Sequence, residues 1–155
     1  TDAEGRLALA DGLTYAQTLK PDYIIDIATL TGAQVVGLGR LVGGVMGNDE
    51  EFVQEVAKAG KDSGETMWPL PLFEPYREMI KSDIADIRNS SGIPEAGTIQ
   101  AGLFLSEFVE HPRWVHLDIA GPAWQEREWS VYGKAASGFG VRCLLKLLSS
   151  LAKAQ

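Results

Sequence analysis

The chain has 155 residues, of which 45% are apolar and 23% charged, and its formal net charge is −7. This length suits one domain with a sizeable core, and the composition is that of an ordinary globular α/β protein rather than a disordered one. The acidic balance, without any Lys/Arg-rich block, argues against a nucleic-acid-binding surface. No apolar run approaches the roughly 20 residues that span a membrane, and no signal peptide is visible. We therefore expect a cytoplasmic protein that binds neither nucleic acid nor membranes.

Hydrophobic periodicity predicts helices and strands that alternate along the chain. A first helix over residues 6–19 ends before Lys20-Pro21, and the β-branched run at 23–28 predicts a parallel strand buried on both faces. Two prolines make the stretch 68–72 irregular. The remaining predictions are a short helix at 31–38, strands at 42–46 and 114–119, and helices at 49–64, 73–82, 97–110 and 138–152. This order favours one α/β domain, a three-layer α/β/α sandwich with a mainly parallel central sheet.

Three charged side chains alternate at the start of the chain: Asp2, Glu4 and Arg6. In extended backbone they would point to one side, at a strand-to-helix junction where open α/β sheets collect their active sites. When two carboxylates lie so close together, a divalent metal ion between them is favourable because it offsets their repulsion. From the residues alone, an ion pair between Arg6 and Glu4 at the start of the first helix is the alternative.

The heptapeptide Thr-Asp-Ala-Glu-Gly-Arg-Leu at 1–7 closely resembles the signature of the leucyl aminopeptidases, also called cytosol aminopeptidases, which are dinuclear metallo-exopeptidases. Other landmarks of that family follow in the same order at 26–33, 85–89, 101–105, 116–121 and 138–142. The resemblance thus extends over nearly the whole chain. It implies that residues 1–155 are the C-terminal part of a metallo-aminopeptidase catalytic domain, with the upstream part absent.

The resemblance implies roles for the charged residues at the start of the chain. Asp2 and Glu4 match metal-binding carboxylates, and Glu4 matches the one that bridges two divalent ions, zinc or manganese. Arg6 matches the arginine that holds a bicarbonate ion, which is thought to act as general base. A planar guanidinium suits such bidentate binding better than a lysine does.

The segment Thr29-Leu30-Thr31-Gly32 follows the predicted strand at 23–28. On sequence alone, a plain strand-to-helix turn is an equally good interpretation. The resemblance implies that Thr29 and Gly32 line the pocket for the first side chain of a bound peptide, that Leu30 contributes backbone, and that Ala120 lies on the same wall. Such small residues leave room for leucine-sized side chains but discriminate weakly among them.

Several other residues are of types that can bind metals or react. His116 and Asp118 share one strand face and are of metal-ligating types, but buried hydrogen-bonded support of the strand is the favoured interpretation. Cys143, the only cysteine, is predicted to be a buried, inert thiol in a helix. Glu65 follows Gly64 near a predicted loop and is assigned no chemistry. The glycine spacing at 37–43 does not fit a dinucleotide loop, and no Gly-x-Ser-x-Gly elbow is present.

By resemblance, the full-length protein removes N-terminal residues, preferably leucine-like ones, from peptides and forms a homo-oligomer, a hexamer. The family carries three further metal ligands and a catalytic lysine upstream of this segment, and two of five ligands hold two ions only weakly. An inactive folded fragment with a structural or assembly role is therefore the alternative. The segment 124–132, with two tryptophans and a tyrosine among charges, is a candidate interface, or else a loop folded over its own domain.

Overall fold

The structure is a computed structural model that describes residues 3–129 and 131–154. Helices and strands alternate through most of this part of the chain. The helices are α1 (Glu4–Thr18), α2 (Gly32–Leu38), α3 (Glu50–Ser63), α4 (Gly97–Ser106) and α5 (Val141–Ala154), with a 3-10 helix at Glu74–Ile80. The strands are β1 (Ile24–Ala28), β2 (Gly43–Gly47), β3 (Met67–Pro69), β4 (Trp114–Asp118), β5 (Trp124–Gln125) and β6 (Ala135–Ala136).

Four of these strands form the central sheet, in the order β1-β4-β2-β3. The pairs β1/β4 and β2/β3 are parallel, while β2 runs antiparallel to β4. Two of the three pairs are thus parallel, and the prediction of a mainly parallel sheet is confirmed. Because β1 and β4 run the same way, the residues that follow them, 29–32 and 119–121, meet at one edge of the sheet. Open α/β sheets bind their ligands at such edges.

Helices cover both faces of the sheet, which confirms the three-layer prediction. On one face α1 and α4 pack around the side chains of Ile24 and Trp114, with α2 beside α4. On the other face α3 and α5 pack against each other and against Val115 and Leu117. Alternation along the strands therefore separates two cores. Within the described residues no helix has the length and apolar character needed to cross a membrane.

The boundaries of α3 follow from its flanking residues. Asp49 is the N-cap, and its Oδ1 accepts a hydrogen bond of 3.1 Å from the Phe52 amide. Gly64 ends the helix in the left-handed conformation, with φ at 75°, which glycine adopts without the steric cost of a Cβ atom.

The start of the chain differs from the prediction of extended backbone. Helix α1 already begins at Glu4, so Glu4 and Arg6 do not share one face of a strand. On a helix, residues two positions apart point in directions that differ by about 200° around the axis. An acidic residue in the first turn is favourable because the N-terminus of a helix carries partial positive charge. Asp2 lies outside the described residues.

Two further predictions about local structure are corrected. Residues 67–69 form a short strand although 68–72 was predicted to be irregular, because β3 is an edge strand and Pro69 is tolerated there. The segment after Gly121 contains a small hairpin of β5 and β6, and its tip closes through two backbone hydrogen bonds of 2.9 Å between Trp129 and Tyr132. Neither pairing has a local sequence signal.

Strand β1 is the outer strand of the sheet on the side opposite β3. Among the described residues it pairs with one strand only, β4. Ile27 on this strand is 37% exposed. Three apolar residues on α5, Val141, Leu145 and Leu148, are also more than half exposed and share one helix face by their spacing. The structure thus exposes both the open edge of β1 and an apolar stripe on α5.

Glu65, which was predicted to be a loop residue without a role, is 1% exposed and supports α5. Its Oε2 accepts hydrogen bonds from the backbone amides of Gly140 (3.0 Å) and Cys143 (2.8 Å), and its Oε1 accepts one of 3.2 Å from Arg142 Nε. The carboxylate therefore satisfies amides at the N-terminus of α5, where negative charge is favourable.

The prediction of a buried thiol at Cys143 is confirmed, since its side chain is fully buried. Burial, and second the nearby negative charge of Glu65, raises the pKa of the Cys143 thiol to about 11. Because the thiolate is the reactive form, this thiol is inert at neutral pH.

Candidate active site

The first turn of α1 forms one side of the candidate site. Glu4 is solvent-exposed in this turn. The Arg6 guanidinium donates a 2.8 Å hydrogen bond to the Asn89 carbonyl oxygen and lies 6.0 Å from the centroid of the Phe104 ring. Asn89 in turn donates from Nδ2 to the Ala3 carbonyl oxygen at 3.1 Å. The loop that ends at Asn89 thereby fixes the start of α1.

The loop after β1 forms the second side, and Asp118 at the end of β4 holds it. Asp118 is fully buried, and its Oδ1 accepts hydrogen bonds from the amides of Leu30 (3.1 Å) and Ala120 (3.2 Å). Its Oδ2 accepts a 2.6 Å hydrogen bond from the Thr31 hydroxyl. One carboxylate thus joins the two segments that contain the predicted pocket residues.

Helix α2 is attached to the same place through Gln34, which is 1% exposed. Gln34 Oε1 accepts from the Gly121 amide at 2.6 Å, and Nε2 donates to the Val42 carbonyl oxygen at 2.6 Å. A Cβ atom on Gly121 would lie 2.1 Å from the Gly39 carbonyl oxygen, so only glycine fits there. The turn that follows Ala120 is therefore closely packed against α2.

The two sides lie next to each other. A Cβ atom on Gly5 would lie 3.9 Å from Leu30 Cδ1. Leu30 also packs against the core cluster that contains Phe104, the ring over which Arg6 lies. The structure thus brings the described part of the N-terminal motif next to the predicted pocket loop, although the two are separate in sequence.

The donor groups of the described residues determine how well this chain could hold a metal ion. The exposed Glu4 carboxylate is an oxygen donor of the kind that divalent ions bind. Residues 3–129 and 131–154, however, contain no group of at least three His, Cys, Asp or Glu residues that could hold a metal ion together. The described residues therefore do not make up a metal site by themselves.

The prediction that His116 and Asp118 are buried and hydrogen-bonded agrees with the structure, but only His116 supports the strand, since Asp118 holds the loop after β1. Both residues are fully buried. His116 Nδ1 hydrogen-bonds to Asp26 Oδ1, and the Trp114 indole donates to Asp26 Oδ2 at 2.7 Å. These bonds connect β4 to β1 beneath the candidate site.

Comparison with known proteins gives the family. A family model described as the catalytic domain of the cytosol aminopeptidase family matches residues 1–145. The chain belongs to the cytosol aminopeptidase family. A probable cytosol aminopeptidase of Geobacter sulfurreducens is 52% identical over 150 residues, which are 97% of this chain and 30% of that protein. One of Wolinella succinogenes is 53% identical over 156 residues, 99% of this chain and 32% of that protein.

Among solved structures, the chain is similar to the bottromycin maturation enzyme BotP, with a TM-score of 0.92 and 38% identity. The match covers 97% of this chain and 34% of that one. A structure of BotP in complex with Mn gives a TM-score of 0.90 and 37% identity over 96% of this chain. The chain thus spans about a third of the length of these cytosol aminopeptidase relatives and of BotP.

The sequence predicts the segments 29–32 and Ala120 that meet at this site, but not the residues that fix them. The sequence favours strand support for Asp118 and indicates no role for the side chains of Asn89 and Gln34. The family landmarks at 85–89 and 116–121 include two of these residues and were the available signal. Thr98, whose hydroxyl lies 3.0 Å from that of Thr31, has no sequence signal.

Proposed function

We propose that the full-length protein containing this chain is a metal-dependent aminopeptidase that releases N-terminal residues, preferably leucine-like ones, from peptides. The single observation that carries the proposal is the Asp118-centred junction of the pocket loop and Ala120, beside the first turn of α1. Family membership supplies the reaction class. The naming of relatives as cytosol aminopeptidases also supports a cytoplasmic location.

The proposed pocket for the first side chain of the peptide is lined by Thr29, Gly32 and Ala120, with Leu30 contributing backbone. Thr29 and Gly32 are exposed and Ala120 is half-buried, so a ligand can reach all three. Their small volume suits an apolar side chain of leucine size. A pocket of this kind separates leucine from its near relatives by only about 1–3 kcal/mol per methylene. We therefore propose a preference and not strict specificity.

The proposed cofactor is a pair of divalent ions, zinc or manganese, to which this chain contributes Asp2 and Glu4. The Mn complex of BotP supports the use of a divalent metal in this fold. When bound, such ions supply Lewis acidity and an activated water. Because the described residues lack a grouped ligand set, the remaining ligands are proposed to come from outside these 155 residues.

Arg6 is proposed to hold a bicarbonate ion near the metal site. Its hydrogen bond to the Asn89 carbonyl oxygen and its position over the Phe104 ring limit the orientations open to the guanidinium. A restricted guanidinium binds a planar oxyanion at a lower entropic cost than a mobile lysine would.

The test compares the full-length protein with the 155-residue chain on leucyl-amide substrates, with added manganese or zinc. We expect metal-dependent turnover by the full-length protein and none by the chain, whose ligand set is incomplete. Calorimetric titration of the chain with zinc is expected to detect weak binding or none. Absence of turnover by the full-length protein with either metal would refute the proposed function. Submicromolar two-site binding by the chain would refute the proposed division of ligands.

We also propose that the full-length protein is a homo-oligomer, a hexamer by family resemblance, with segment 124–132 at a subunit interface. Trp124 is 56% and Trp129 is 44% exposed, which supports an interface over a loop that covers its own core. Trp129 also lines a groove of about 570 Å³ between Arg40 and Arg127.

Light scattering on the full-length protein is expected to give an oligomeric mass, and a monomer would refute the assembly. Trp129→Ala is expected to increase dissociation on dilution at least about tenfold, because a tryptophan at an interface hot spot contributes about 2 kcal/mol or more. The control is Trp68→Ala, since Trp68 is a similarly exposed tryptophan (59%) on β3, outside segment 124–132. Equal dissociation of the two variants would leave segment 124–132 without an interface role.

A further inference from the structure

Asp118 is a buried carboxylate whose hydrogen bonds all lead to the proposed substrate pocket. It is fully buried, and in residues 3–129 and 131–154 it has no basic side chain in ion-pair contact. Its charge is stabilised instead by the amides of Leu30 and Ala120 and by the Thr31 hydroxyl, at 3.1, 3.2 and 2.6 Å. A buried charge of this kind is costly unless its hydrogen bonds are complete.

The hydroxyl of Thr31 extends this network to two helices. Its single proton is donated to Asp118, because an ionised carboxylate only accepts. Thr31 Oγ1 therefore accepts the 3.0 Å hydrogen bond from Thr98 of α4, and it also accepts the Gln34 amide at 3.0 Å as the N-cap of α2. The loop conformation, the start of α2 and the position of α4 thus depend on the same carboxylate.

We propose that Asp118 is a positioning residue that sets the width of the pocket for the first side chain of the peptide. The two walls of that pocket, the segment 29–32 and Ala120, belong to different parts of the chain. Both are attached to a single atom, Asp118 Oδ1, which fixes their separation. Asp118 acts through these walls and does not touch the substrate. This inference rests on the proposed aminopeptidase function.

A carboxylate is required because both of its oxygens accept hydrogen bonds. In Asp118→Asn one oxygen becomes an amide nitrogen, which cannot accept from the Thr31 hydroxyl or from a backbone amide. Either the link to Thr31 or the link between Leu30 and Ala120 is then lost. The wall separation is expected to vary, and a displacement of about 1 Å at a binding site costs up to about 100-fold in rate.

The test uses the full-length enzyme and compares Asp118→Asn with Asp26→Asn. Asp26 is the matched control, because its carboxylate lies on the adjacent strand but bonds to His116 and Trp114 and not to the pocket. We expect Asp118→Asn to raise KM for leucyl substrates and to lower the leucine-over-alanine ratio of kcat/KM at least about fivefold. Asp26→Asn is expected to lower thermal stability and to keep that ratio.

Hydrogen exchange provides a readout that does not depend on activity. In Asp118→Asn, peptides covering 29–34 and 119–121 are expected to exchange at least about tenfold faster, while Asp26→Asn leaves them unchanged. Thr31→Val, which removes only the hydroxyl bonds, is expected to give an intermediate result and serves if Asp118→Asn does not fold. If the wild-type enzyme is inactive, the proposed function is wrong. The hydrogen-exchange rates of these peptides then decide whether Asp118 holds the two segments in place. Equal selectivity and equal exchange for Asp118→Asn and Asp26→Asn would overturn the inference.

Discussion

Glu4→Gln in the full-length enzyme is expected to lower kcat/KM by on the order of 100-fold or more, together with a loss of bound metal. Glutamine keeps the volume and position of the side chain but removes the charge that a bridging ligand supplies. Even residues that only support metal ligands cost about 10–100-fold when they are replaced, so a ligand itself should cost at least as much. Steady-state kinetics and metal analysis of the purified variant measure both effects.

The matched control for this change is Glu50→Gln. Glu50 is the first residue of α3, as Glu4 is of α1, and both are exposed, so loss of charge at a helix N-terminus is the same in both variants. Glu50→Gln is expected to retain full activity. Glu65 is unsuitable as a control because its buried carboxylate holds α5. Similar activities of the Glu4 and Glu50 variants would contradict the metal-ligand role.

Glu65→Ala is expected to lower the free energy of unfolding by about 3 kcal/mol or more. It leaves the buried amides of Gly140 and Cys143 without an acceptor, at about 1–3 kcal/mol each, and creates a cavity. Urea unfolding followed by tryptophan fluorescence measures the change. Glu65→Gln retains one acceptor oxygen and is expected to lie between alanine and wild type.

The control is Glu55→Ala, an exposed position on the neighbouring helix α3. Surface substitutions of this kind usually change stability by no more than about 0.5 kcal/mol. If Glu65→Ala were within 1 kcal/mol of Glu55→Ala, the capping role that the hydrogen bonds indicate would be wrong.

Local sequence patterns predicted the elements that bury a periodic face. Strand β1 and helices α3 and α5 were predicted to within about three residues at each end, because apolar spacing and capping residues determine them. Strand β3 and the β5–β6 hairpin were not predicted. Each depends on pairing with a partner strand, and in β3 the proline signal favoured the wrong interpretation.

The supports of the candidate site could not be predicted for a related reason. Asp118 forms hydrogen bonds with Thr31 and Leu30, which are 87 and 88 positions earlier in the sequence. Glu65 forms hydrogen bonds with residues that follow it by 75 to 78 positions. A carboxylate in a sequence carries no local sign of which distant amides it will meet. Family resemblance predicts the pocket residues, whereas the buried hydrogen-bond acceptors that hold them are visible only in the fold.

Among the residues that the structure describes, β1 has one open edge, and this edge affects how the 155-residue chain behaves when it is expressed alone. Free backbone donors and acceptors beside exposed Ile27 and the apolar stripe of α5 are a template for strand addition between molecules. We therefore expect any aggregation of the 155-residue chain to begin at the β1 edge. Ile27→Lys is expected to reduce this aggregation, because a charge on an edge strand opposes pairing with the edge of another sheet.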